Sequence, residues 1–535
     1  MKTKIRHRGG SGKHASANRQ IRFRKEWVRR RQRIFRRLNK NRREAGDGLD
    51  GERPVMRGGN VRFEMGQRQS GTAYGGVAVM HQLVRELGLA EAIDSRLQLL
   101  RFHKPYHESD HVLNFAYNAL CDGDCLEDME LRRTDEAYLN SLGAQRTPDP
   151  TTAGDFCRRF EESDVRTLQN VFHEVRLKVW EHQPDEFFDE AVIDMDGTLV
   201  ETNAEKMQGI DISYKGIWGY HPLVVSLANT GEILSLVNRS GNRPSHEGAS
   251  VEADQVIELC RRAGFRRIKL RGDTDFTQTR HLDRWDAAGV TFVFGNNARV
   301  PLQIDADELP AGSWRKLRRK PRYTVKTEPR RKRRNVKERI VRDRQFENLK
   351  LLSEDVAEME YRPVACRKSY RLIIVRKNLE CRDGQGRLFH DCRYFFYLSN
   401  DRLATAEQIV FDANDRCNQE NLNSQLKQGV RALTTPVHTL VSNWAYMVMT
   451  SLAWNLKAWL ALWPQQSNSS TATVKQTEVQ QQVLRMEFKT FVNHLMRLPA
   501  IVAKTGRQIV VRWLNWTPLQ PFLFRVLESF RPRRC

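Results

Sequence analysis

Three acidic residues near the ends of apolar runs are the groups in this chain best suited to phosphoryl chemistry. Asp196 follows Ala191, Val192 and Ile193 and lies in DMDGT (194–198). Asp273 ends the run Ile268–Lys269–Leu270–Arg271–Gly272. Carboxylate oxygens are natural ligands for Mg2+, a hard cation that retains several waters. In a sheet that sets these two strands side by side, both carboxylates converge at one edge. A single Asp at a strand end is more often a turn or helix-cap residue, so the pair gains its weight from a third acid. Glu420 is that candidate, in DANDRCNQENLNSQLKQG (412–429). At about 100° per residue, Ala413, Arg416, Glu420 and Lys427 fall within about 60° of one another on a helix. Phe411, Leu422 and Leu426 lie on the other side and pack inward. Read alone, such a face is more often a solvated stripe of i,i+4 charges; the sharper reading is a metal ligand flanked by two phosphate-binding cations.

The elements that must carry these residues follow from punctuation and period. From Val77 to about Phe160 apolar residues recur at three and four, as in HQLVRELGLAEAI and HVLNFAYNAL, which predicts helices. The period then changes. AVIDMDGTLV (191–200), HPLVVSLAN (221–229) and EILSLVNRS (232–240) read as strands, the last two joined by a Thr-Gly turn. A helix over 249–263, a strand in RRIKLRGD (266–273), a helix over 277–288 and a strand in VTFVFG (290–295) complete a mixed α/β unit. Further strands are expected in YRLIIVRK (370–377) and RYFFYLS (393–399), then one long helix over about 404–428 and a Trp-rich helix over about 437–463. A Gln/Ser/Thr-rich linker and a final basic helical segment are expected to close the chain. The gap of 147 residues between Asp273 and Glu420 is too long for one connection and must hold structure of its own.

A chain of 535 residues, 40% of them hydrophobic, is large enough for more than one core. Its net charge of +24 is concentrated. Residues 1–44 carry 18 Lys and Arg against Glu26 and Glu44, and residues 315–344 carry 16 against Glu328, Glu338 and Asp343. These two blocks exceed the charge of the whole chain, so the remainder is slightly acidic. A single-sign block repels itself and gains most by neutralising phosphates and releasing their counterions, which favours a nucleic-acid partner over a merely solvated tail. The nine cysteines are scattered and odd in number, and the spacings of Cys121 with Cys125 and of Cys381, His390 and Cys392 match no familiar zinc module. Residues 440–463 are apolar, but Asn443, Asn455 and Lys457 favour a buried helix over a membrane span. No apolar stretch follows the basic N-terminus as in a secretory signal. A cytoplasmic, nucleoid-associated protein is expected.

Several motifs in order resemble those of transposases of the insertion-sequence-1380 family, related to insertion-sequence-4-type cut-and-paste enzymes. They are DMDGT (194–198), YKGIWGYHPL (214–223), TGEIL (230–234), RSGNRPSHEGA (239–249), RGDTDF (271–276) and NQENLNSQLK (418–427). Upstream, CLEDMELRRTDEAY (125–138) and PDPTTAGDFCRRF (148–160) are similar to the family's helical N-terminal region, so the resemblance runs from about Gly75 to about Trp463. It implies an RNase H-like mixed sheet flanked by helices, with Asp196, Asp273 and Glu420 as catalytic acids and ligands of two Mg2+ or Mn2+ ions. The placement of the first acid two residues before Thr198 selects Asp196 over Asp194. In the wider group's Tyr–Arg–Glu–Lys signature, Arg416 and Lys427 take the Arg and Lys positions as DNA-phosphate contacts, while Ala413 departs from the Tyr.

The resemblance further implies a division into a basic arm and linker (1–72), a helical DNA-binding domain (73–180), a catalytic core in two parts (181–299 and 401–465), a β-rich basic insertion (300–400) and a C-terminal linker with a basic helical region (466–535). Within the insertion, Trp314 is a candidate for stacking on a base, with Arg315 and Lys316 beside it as DNA contacts; a packed core aromatic is an equal reading of Trp314. The expected partners are the inverted-repeat ends of the element, target DNA and a second copy of the chain. Two rivals stand beside this reading. DMDGTLVET (194–202) also resembles the nucleophile motif of haloacid-dehalogenase-type phosphatases, in which Asp194 attacks phosphate and Asp196 serves as acid and base. A transposase derivative that binds DNA without cleaving it is the other.

Overall fold

The computed structural model describes residues 25–26, 28–37, 39, 70–319, 348–382, 388–463, 470–505 and 508–530. Most of the basic arm and linker, and residues 320–344 of the second basic block, lie outside the described residues. So do the side chains of Cys381 and His390. The described arm residues are helical and meet the C-terminal region, where Arg31 lies 5.3 Å from the ring of Trp516 and Phe35 packs 5.5 Å from it.

A nine-stranded sheet organises the chain. Its strands are β1 (Glu190–Gly197), β2 (Leu223–Leu227), β3 (Glu232–Val237), β4 (Arg267–Gly272), β5 (Val290–Asn296), β6 (Arg315–Lys316), β7 (Asn348–Tyr361), β8 (Tyr370–Arg382) and β9 (Leu388–Ser399). In space the order is β6-β7-β8-β9-β5-β4-β1-β2-β3. β1, β2 and β3 form an antiparallel meander, while β4 and β5 run parallel to β1. The Thr230–Gly231 turn between β2 and β3 places Gly231 at φ +72°, where a side chain would be strained. The predicted β-rich insertion is thus continuous with the sheet. β9 adds antiparallel to β5 through Phe396↔Asn296 to Ser399↔Val293, so three long strands extend one edge of the same sheet.

Helices pack against this sheet. Those of the N-terminal region include α1 (Glu108–Leu120) and α2 (Glu162–Trp180), and α3 (Ala249–Ala263) connects β3 to β4. The helix expected over 277–288 is shorter, Leu282–Ala287, preceded by two 3-10 turns. The long helix expected over 404–428 is interrupted. It divides at Arg416 into α4 (Ala406–Asp415) and α5 (Cys417–Ser424), and a π-helical turn over Gln425–Gly429 follows.

The Trp-rich segment forms α6 (Leu440–Leu462), buried along nearly its whole length. Its polar residues are satisfied inside the protein: Asn455 Oδ1 accepts from the Ile233 amide at 2.9 Å, and Lys457 Nζ donates to the Leu484 carbonyl at 2.9 Å. No helix among the described residues is long and apolar enough to cross a membrane. Glu232 ties α2, α6 and the sheet together. Fully buried, it accepts from Arg176 Nε, Trp180 Nε1 and Trp459 Nε1 at 3.0, 3.0 and 2.8 Å.

The C-terminal region differs from the sequence expectation. Ser470–Arg485, rich in Gln and Thr, is helical because Val483 and Leu484 give it an apolar side that packs on the core. Beyond it, Ala500–Thr505 and Gln508–Trp513 form a strand pair that takes in Ser70–Thr72, and a helix over Gln520–Ser529 ends the described chain.

Candidate active site

Asp196 is the penultimate residue of β1, and Asp273 follows directly on β4. β1 and β4 are neighbours and parallel, with Asp194 opposite Arg271. Both acids therefore leave the same edge of the sheet at adjacent strand ends. Glycine flanks each of them for steric reasons. A Cβ on Gly197 would stand 2.8 Å from His221 Nε2, and one on Gly272 would stand 2.6 Å from the Phe276 Cβ. Asp273 also caps the turn that follows it, its Oδ1 accepting from the Asp275 amide at 3.0 Å.

Asp194, two residues before Asp196, has a different environment. Its side chain is 1% exposed, and the Arg271 fork takes both its oxygens, Nε to Oδ1 at 2.6 Å and Nη2 to Oδ2 at 2.8 Å. Arg271 Nη1 also donates to the Asp412 carbonyl at 2.9 Å, and Lys269 Nζ meets the Asp412 carboxylate at 2.7 Å. Two basic residues of β4 thus hold the C-terminal part of α4. Burial pushes the Asp194 carboxyl up, against the pull of Arg271.

α5 brings the third acid. It is clamped to β2 by Gln419, whose Oε1 accepts from the Ser226 hydroxyl and whose Nε2 donates to the Val224 carbonyl at 3.3 Å. Leu422 and Leu426 are buried in the main core. From the break between α4 and α5, Arg416 reaches two acids, with Nη1 3.7 Å from Asp196 Oδ1 and Nη2 3.8 Å from Glu420 Oε1. Asn423 donates to the other oxygen of Asp196 at 2.8 Å. Glu420 itself is largely exposed, so the helix presents it at the open side of the cluster.

The electrostatics show how closely these groups are associated. Burial is the main cause that pushes Asp196 up to about 7; the charges of Asp273 and Glu420 add to it, and Arg416 opposes. Asp273 is raised as well, chiefly by burial and again against Arg416. Lys427, on the π-helical turn, is lowered by burial and by Lys215, while the charge of Asp196 holds it up. Arg416 and Glu420 act on Asp196, and Asp196 acts in turn on Lys427. Among the described residues, no group of three or more His, Cys, Asp or Glu stands together so as to hold a metal ion; the Arg416 guanidinium reaches both Asp196 and Glu420.

The other predicted contacts lie elsewhere. Trp314 is half-buried with the Arg376 guanidinium 4.0 Å from its ring centre and the Tyr394 ring at 6.4 Å. Arg315 and Lys316 are exposed on the edge strand β6. Six strand steps separate β6 from β1, roughly 28 Å along a flat sheet. Ala413 packs with Ile409, Val410 and Tyr397 in a small second core under the extended edge. The seven cysteines with described side chains are all free.

Helical spacing alone missed Asn423 and Gln419, although Asn423 stands three residues after Glu420 and so shares its side of the helix. Arg271 carried a signal too, as a cation opposite Asp194 in two apolar strands, but only the strand register reveals the pairing.

Comparison with known proteins places the chain. Residues 59–535 match the family model described as transposase DDE domain group 1. Among solved structures, the chain is similar to a piggyBac transposase determined as a synaptic complex with hairpin DNA. That likeness has 11% identity, covers 88% of this chain and 89% of the other, and has a TM-score of 0.33, too loose to carry an argument. No curated protein matches.

Proposed function

The chain belongs to the transposase DDE domain group 1 family, and we propose on that premise that it cleaves and joins DNA at the ends of its own insertion sequence, with Asp196, Asp273 and Glu420 as the catalytic acids. The observation that carries this assignment is the convergence of Asp196 and Asp273 at adjacent parallel strand ends, with Arg416 linking Asp196 to Glu420. Asp196 is the first acid because both oxygens of Asp194 are held by Arg271. The order β3-β2-β1-β4-β5, with a meander followed by two parallel strands, supports an RNase H-like core. The motif order supports placement in the insertion-sequence-1380 family and a cut-and-paste reaction.

The donor chemistry of these residues suits divalent cations, although the three acids do not stand together as a formed site among the described residues. They offer hard carboxylate oxygens, and the charges of Asp273 and Glu420, which add to burial in raising Asp196, are what a bound cation would offset. Mg2+ or Mn2+ held by Asp196, Asp273 and Glu420 would activate the attacking hydroxyl and steady the leaving oxygen of an in-line displacement. The chain's own part is positional. Two rigid strand ends and a clamped helix hold the three acids, and Arg416 and Lys427 set positive charge where the scissile phosphate enters. The basic arm and the 315–344 block supply sequence-independent grip on DNA. Cleavage of paired ends calls for two or more copies of the chain.

A phosphatase of the haloacid-dehalogenase type requires Asp194 to attack a substrate, and its carboxylate is buried in the Arg271 fork. No observation favours that reading. The test is to incubate the full chain with DNA carrying both element ends and Mg2+. Strand cleavage at the junctions, lost in chelator, is expected; intact ends with both Mg2+ and Mn2+ would argue for a derivative that only binds.

A further inference from the structure

Asn423 is 5% exposed, and its amide has been split between a satisfied end and an unsatisfied one. Nδ2 donates to Asp196 Oδ2 at 2.8 Å, whereas Oδ1 is buried and meets no hydrogen-bond partner among the described residues. This orientation suits the ionised carboxylate, which only accepts and so takes the N–H end of the amide. A buried acceptor left alone costs about 1–3 kcal/mol, and leucine would fill the same space without that cost. Such an atom calls for a missing hydrogen donor. On the other side of the same carboxylate, Arg416 Nη1 is likewise buried with no hydrogen bond, an unmet donor. A hydrated cation supplies donors through its waters, and a phosphate oxygen supplies an acceptor. The two unmet atoms flanking Asp196 thus have complementary needs, of which Asn423 has the first.

We propose that Asn423 is a positioning residue of the acidic site, fixing Asp196 through its amide N–H and offering its amide oxygen to a water on the divalent cation. The inference rests on the reading of Asp196 and Asp273 as metal ligands. It is specific in structural terms. α5 is anchored by Gln419 on β2 and by Leu422 in the core, so Asn423 is held in place before any ligand arrives. Partners of this kind orient a ligating carboxylate, and their loss commonly weakens metal affinity by about 10–100-fold.

Mn2+ binding to the full chain without DNA, followed by the electron paramagnetic resonance signal of free Mn2+, tests this without reference to activity. Asn423→Leu keeps the branched shape, with somewhat more bulk, and removes both polar atoms; Asn423→Ala removes them without adding bulk. Asp273→Asn serves as the control for the site itself. Both Asn423 variants are expected to bind Mn2+ at least about tenfold more weakly with an unchanged far-ultraviolet circular dichroism spectrum. Wild-type affinity in both Asn423 variants, with weakened binding in Asp273→Asn, overturns the role of Asn423 alone. Wild-type affinity in all three overturns the metal-site reading and this inference with it.

Discussion

Arg416 Nη1 lies 3.7 Å from Asp196 Oδ1, joining the break between two helices to the end of β1. Separated by more than two hundred residues in sequence, the two meet because α5 is pinned to β2 and the helical run divides at Arg416 itself. The guanidinium opposes the rise that burial and the charges of Asp273 and Glu420 impose on the Asp196 carboxyl.

Replacing Arg416 should therefore cost more in chemistry than in binding. Arg416→Gln is expected to lower single-turnover strand cleavage by about 100-fold or more, the range for losing a charged group at a reacting centre. Arg416→Lys should recover little, since one ammonium does not reproduce a fork reaching two acids. Cleavage by Arg416→Gln within a few fold of wild type would remove Arg416 from the site.

The pair behind the site is structural. Arg271→Met leaves the Asp194 charge buried without its partner, and urea unfolding should show a loss of about 3–5 kcal/mol. The double variant Arg271→Met with Asp194→Leu should regain a large part of it, because no charge is then stranded. A double variant as unstable as the single one would contradict this account.

Stability of the metal-free protein should depend on pH through Asp196. Its carboxyl titrates near 7 in the folded chain, against about 4 when unfolded. Folding thus disfavours the ionised form, and the stability tied to the protonated form is full below about pH 4 and lost as pH rises through about 7. Asp273 shifts in the same direction. Asp196→Asn should gain in melting temperature relative to wild type between pH 5 and pH 8, and added Mg2+ should narrow that gap at pH 8. An equal difference at both pH values would refute the assignment of this shift.

The basic arm makes a separate prediction. Deleting residues 1–44 removes 18 Lys and Arg, so the log–log dependence of DNA affinity on salt should flatten by several units of slope. An unchanged slope would show that the arm does not neutralise phosphates.

The parts of this architecture that were legible in sequence share a physical reason. Asp196 and Asp273 each close an apolar run, and a helical period set Arg416, Glu420 and Lys427 on one face; these are local signals. What stayed hidden is non-local. Nothing within 348–399 says that its strands add to β5 and extend one sheet, since strand partners are chosen across the chain. The division at Arg416 depends on anchoring by Lys269, Arg271 and Gln419. Ser470–Arg485 has the composition of a linker, and becomes a helix through a few apolar residues packed on the core. The Arg376 guanidinium beside the Trp314 ring is likewise a partner from across the sheet that no local pattern announces.

The most direct measurement is single-turnover cleavage of an end-bearing DNA in Mg2+ by Asp196→Ala, Asp273→Ala and Glu420→Ala, with end binding recorded alongside. Each variant is predicted to bind the ends nearly as wild type does and to leave both strands uncut. Full cleavage by any one of them would contradict the assignment of the three acids.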